Sequence, residues 1–82
     1  MKIKVLKYTA IYTEESEGGF TVTVPQLPGC VTYGKDLKEA ERMAKDAVSL
    51  YLQSLEKHNE LIPREENYFI GSIDLELPLV HA

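Results

Sequence analysis

A single cysteine excludes an internal disulfide, and that cysteine with two distant histidines, His58 and His81, lacks the spacing of a zinc site. Packing alone must hold the fold. Long apolar runs are also missing: none approaches the roughly 18 to 20 residues that a bilayer span requires. At the N-terminus, lysines alternate with apolar residues from Lys2 to Lys7, which does not resemble a secretory signal. A cytoplasmic location is expected. Basic charge is scarce as well, with 9 lysines and arginines against 13 acids and a net charge of -4. That balance argues against non-specific nucleic-acid binding by the whole surface and suits a basic protein partner.

What is present is the composition of a globular domain, 44% hydrophobic and 27% charged, in a chain of 82 residues. A chain this short buries little more than roughly 60% of its unfolded surface, so one domain over residues 1–82 with a thin core is expected.

Ile3 to Thr13 reads as a long strand, rich in β-branched and aromatic residues. Alternation puts Leu6, Tyr8, Ala10 and Tyr12 on one face and Ile3, Val5, Lys7, Thr9 and Ile11 on the other. The polar stretch Glu14 to Gly19 ends in two glycines, as a hairpin requires. Phe20-Thr21-Val22-Thr23-Val24 then alternates strictly, with Phe20, Val22 and Val24 on the buried side. Pro25 ends it, Pro28-Gly29 turns the chain, and Cys30 to Tyr33 gives a third strand closed by Gly34. The three strands form an antiparallel meander.

Asp36 is placed to cap a helix by accepting the N–H of Glu39 while Glu39 reaches back. Leu37, Ala40, Met43, Ala44, Ala47, Val48, Tyr51 and Leu55 then draw one apolar stripe over about 20 residues, the alanines allowing close approach to a sheet. After a polar connection containing Pro63, Tyr68 to Leu77 alternates again as a fourth strand. Returning after a helix, it would run parallel beside the first strand, giving the order 3-2-1-4 and an α+β class. One helix covers one face only. Ile3, Val5, Ile11, Tyr68 and Ile70 are therefore expected at an oligomer interface, in a homodimer or homotetramer.

The run from Gly18 to Gly34, with its Gly18-Gly19-Phe20 hairpin exit and Pro25-Gln26-Leu27-Pro28-Gly29-Cys30 turn, is followed by Asp36-Leu37-Lys38-Glu39-Ala40 and Ala47 to Leu52. These residues resemble the HicB-like antitoxin family over about residues 6 to 56. The resemblance implies a βββαβ, partial ribonuclease H-like domain. It also implies an antitoxin that binds HicA, a small basic mRNA-cleaving toxin, and blocks it. Many relatives continue into a DNA-binding domain; this chain stops at Ala82, so the resemblance does not extend to DNA binding. A stand-alone oligomeric regulator or scaffold is the alternative.

The ribonuclease H-like resemblance also raises a metal-dependent nuclease, which needs several converging carboxylates. Tyr8-Thr9-Ala10, in the middle of the first strand, supplies none, and Asp74 and Glu76 lack a partner. No catalytic residue, cofactor, metal or small-molecule substrate is expected. Cys30 reads as a small buried hydrophobe. Lys35, Lys38, Arg42 and Lys45 are interleaved with acids, which marks a solvated helix face rather than an RNA groove. For contact with a basic toxin, the candidates are the hairpin acids Glu14, Glu15 and Glu17.

Overall fold

The computed structural model describes residues 5–63 and 69–79. Strands β1 (Ile11–Glu14), β2 (Phe20–Thr23) and β3 (Val31–Gly34) form an antiparallel sheet in the order β1-β2-β3. Helix α1 (Leu37–Lys57) packs on one face of it, chiefly against β3 and less against β2. The fold is α+β, with the expected meander and helix.

The first strand is shorter than its composition predicts, because pairing begins only at Ile11. Ile11 lies opposite Thr23, so the same register carried backward would set Thr9 opposite Pro25, which has no N–H to give. The side chain of Gln26 stands in: its Oε1 accepts the Thr9 N–H at 3.2 Å. Beyond that point β2 has turned away. The loop from Val24 to Cys30 is closed by its own backbone, with Leu27 N–H donating to Val24 O at 3.0 Å and Val24 N–H to Cys30 O at 3.2 Å.

Among the described residues, two small clusters make the core. Val22, Ala40 and Ala44 meet with Phe20 and Ala10 packed against them. Val24, Leu27 and Cys30 lie beside Tyr8, Ala47, Val48, Tyr51 and Leu52. The strictly alternating strand thus buries the face its period predicts. Leu27 and Leu52 fall outside the expected core yet belong to it, while Leu37 and Met43, expected on the buried stripe, are exposed. The buried stripe of α1 is rotated toward 40, 44, 47, 48, 51 and 52.

Asp36 caps α1 as expected: its Oδ1 accepts the Glu39 N–H at 2.8 Å. Glu39 reaches one residue further back than a capping box prescribes, accepting the Lys35 N–H at 3.2 Å. Gly34 is buried where α1 begins, and a Cβ there would meet the backbone of Ala40. The helix comes this close because both partners are small.

The expected fourth strand is not seen in this sheet among the described residues. Tyr68 lies outside the described residues, and 69–79 have no ladder partner among those described and are exposed throughout. Phe69 is 95% and Ile73 92% exposed. Neither the order 3-2-1-4 nor a ribonuclease H-like sheet is therefore seen among the described residues. Alternation shows which face a segment can bury; it does not supply the edge to pair with.

Candidate protein interface

The β1-β2 hairpin carries Glu14, Glu15 and Glu17 at one end of the sheet, all exposed. Its tip is ordered from inside. Glu15 N–H donates to Gly19 O at 2.9 Å and Gly18 N–H to Glu15 O at 3.0 Å, while Thr21 Oγ1 donates to Glu15 Oε1 at 2.6 Å. Tyr33 of β3 reaches across β2 and donates its hydroxyl to Gly18 O at 2.9 Å. Gly19 makes room for that ring, since a Cβ there would strike the Tyr33 hydroxyl, and its φ of 80° suits glycine. The hairpin tip is thus a braced acidic knob.

Pairing separates the two faces. Tyr12, Val22 and Thr32 lie on the side toward α1; Thr13, Thr21 and Tyr33, with Ile11, Thr23 and Val31, lie on the other. On that open face Val31 and Tyr33 are 56% and 50% exposed. Of the residues expected at an oligomer interface, Ile11 lies on this face, Val5 and Ile70 are exposed, and Ile3 and Tyr68 fall outside the described residues. The sequence reading missed Val31 and Tyr33. Their alternation with Thr32 and Gly34 was the available signal, masked by the brevity of the strand.

Cys30 is buried at 6% exposure, and burial pushes its thiol up from the ordinary value. Its surroundings suit a packing role. Asp74 and Glu76 are exposed, and no group of three His, Cys, Asp or Glu able to hold a metal ion occurs among the described residues. His58 caps the end of α1, its Nδ1 2.7 Å from Ser54 O. On the helix, Lys35 and Arg42 flank Glu39 at 3.9 and 4.0 Å, and Lys45 lies 3.4 Å from Glu41. Such exposed pairs contribute little to stability, but they do offset the positive field that a phosphate would need. No helix among the described residues is long and apolar enough to cross a membrane.

Comparison with known proteins gives a match to the family model described as the HicB-like antitoxin of bacterial toxin-antitoxin systems, over residues 8–72. A UPF0150 protein of Thermoplasma acidophilum is 52% identical over 60 residues, which cover 73% of this chain and 87% of that protein. Another UPF0150 protein, from Helicobacter pylori, is 39% identical over 62 residues, 76% of this chain and 86% of its own length. Antitoxin HicB of Escherichia coli is 34% identical over 74 residues, covering 90% of this chain but 54% of the antitoxin.

Proposed function

Because the chain belongs to the HicB-like antitoxin family of bacterial toxin-antitoxin systems, we propose that it neutralises a HicA-like, mRNA-cleaving toxin by protein-protein contact. Family membership is the observation that carries this reading. The role we propose is binding rather than catalysis, exercised in the cytoplasm where the toxin would meet mRNA.

The contact is assigned to Glu14, Glu15 and Glu17 and the adjoining open sheet face. The acids project from a tip whose backbone is already held, so a partner need not order it on binding. A net charge of -4 favours encounter with a basic protein, an effect that weakens as salt shortens the reach of exposed charges. Ile11, Val31 and Tyr33 supply apolar area beside the acids. The same reading includes a βββαβ, partial ribonuclease H-like layout with the segment ending at Leu77 as its last strand, and assembly as a homodimer or homotetramer. DNA binding is not assigned to these residues. A second reading, a stand-alone oligomeric regulator, is favoured by the apolar area left open on the sheet.

The test is affinity capture with the tagged chain against the product of the neighbouring reading frame. Recovery of a small basic protein containing a histidine is expected. Capture of nothing, with no such protein encoded nearby, would overturn the reading.

A further inference from the structure

Helix α1 is set toward β3, which leaves the β1 side of its own sheet face open. Between residues 6–12 and the helix runs a mainly apolar groove lined by Leu6, Tyr8, Ala10, Val24, Val48 and Leu52. The outer edge of β1 bounds it, and among the described residues no strand pairs with that edge. An unpaired edge beside an apolar trough is a template for one more strand.

The chain carries a segment with the matching pattern. From 69 to 79, Phe69, Ile73, Leu75, Leu77 and Leu79 occupy alternate positions with Gly71, and each of the five is at least 69% exposed. Eleven extended residues span about 36 Å, enough to run the length of residues 5–14. This segment does not lie in its own groove. Tyr8 donates its hydroxyl to Pro63 O at 2.9 Å, which fixes the chain near the groove just before the tail begins. The radius of gyration is 16.9 Å, against about 12 Å for a compact chain of this length. Among the described residues, every copy therefore presents a groove that its own 69–79 segment leaves unfilled and one unpacked complementary strand.

We propose that residues 69–79 of one copy add as a strand to the outer edge of β1 in a second copy, with Phe69, Ile73, Leu75 and Leu77 in the groove. The exchange is reciprocal, so a two-fold dimer fills both grooves and leaves no unsatisfied tail. It also turns the tail's alternate residue Ile70 toward the open face that carries Ile11.

Sedimentation of the full chain over a range of concentrations, for wild type, Ile73→Pro and Leu75→Asp, provides the first test. Proline removes a ladder N–H and aspartate puts a charge in the groove, while the exposed tail leaves the folded body untouched, which circular dichroism checks. A wild-type dimer is expected, with its dissociation constant raised about a hundredfold or more in both variants. Isotope-filtered NMR on dimers mixed from two labelled pools then locates the tail, with cross-chain contacts expected between Ile73 or Leu75 and Leu6 or Leu52. A wild-type monomer at every concentration, a dimer indifferent to both substitutions, or tail contacts confined to one chain would each overturn the exchange. So would occupancy of the groove by a foreign peptide while the protein stays monomeric.

Discussion

Gly34 stands where α1 meets the sheet, and a methyl group there would meet the backbone of Ala40, which cannot swing aside as a side chain can. Gly34→Ala is therefore expected to destabilise the fold by about 1 to 3 kcal/mol, the cost of overpacking. For a domain of this size that is roughly 4 to 8 °C in midpoint per kcal/mol, readable by thermal unfolding. Leu27→Ala should cost about 2 to 5 kcal/mol in the same measurement, since Leu27 is fully buried. The burial of Cys30 has a pH consequence. Its folded-state thiol keeps its proton to higher pH than the unfolded thiol does, so stability from this group holds below the ordinary thiol value and falls as pH rises through the raised one. Alkylation of Cys30 should follow unfolding rather than thiol exposure in the native state. Val22, Val24 and Cys30 were legible because alternation or size marked them. Leu27 was not, because it sits in a proline-flanked loop where no period applies and only the closure of that loop under α1 buries it.

Helix α1 was legible almost to the residue, since its cap and its apolar stripe agree. Removing the cap by Asp36→Ala should cost about 1 kcal/mol, within a range of roughly 0.5 to 2, measured by urea unfolding. The loss should be larger than that from Lys45→Ala, whose exposed partner Glu41 adds a few tenths of a kcal/mol at most. The stripe was misplaced at its edges, with Leu37 and Met43 exposed and Leu52 taken in. Helical spacing gives the width of an apolar face, whereas the tilt of the helix on the sheet decides which margin is covered. The first strand misled for a different reason: residues 5–10 favour extension, but Pro25 removes the ladder that would have completed a strand. The tail alternates as a strand does and still has no ladder partner among the described residues.

For the molecule as a whole, a thin core on one side of a small sheet leaves the opposite face and the β1 edge uncovered among the described residues. The acidic hairpin lies at the end of that open face, and its candidate residues came from charge and projection alone. Sequence reasoning proposed Glu14, Glu15 and Glu17 but gave no sign of the Tyr33 brace beneath them, because contact across β2 depends on register. Reversing the three charges together (Glu14→Lys, Glu15→Lys and Glu17→Lys) should weaken toxin binding by at least about tenfold at low salt, and less at high salt, by titration calorimetry. The most direct test of the antitoxin reading adds this chain stepwise to the purified HicA-like product of the neighbouring reading frame while following mRNA cleavage. Cleavage is expected to stop near stoichiometric addition and to return with the charge-reversed hairpin; undiminished cleavage in the presence of excess folded wild-type chain would contradict the antitoxin role.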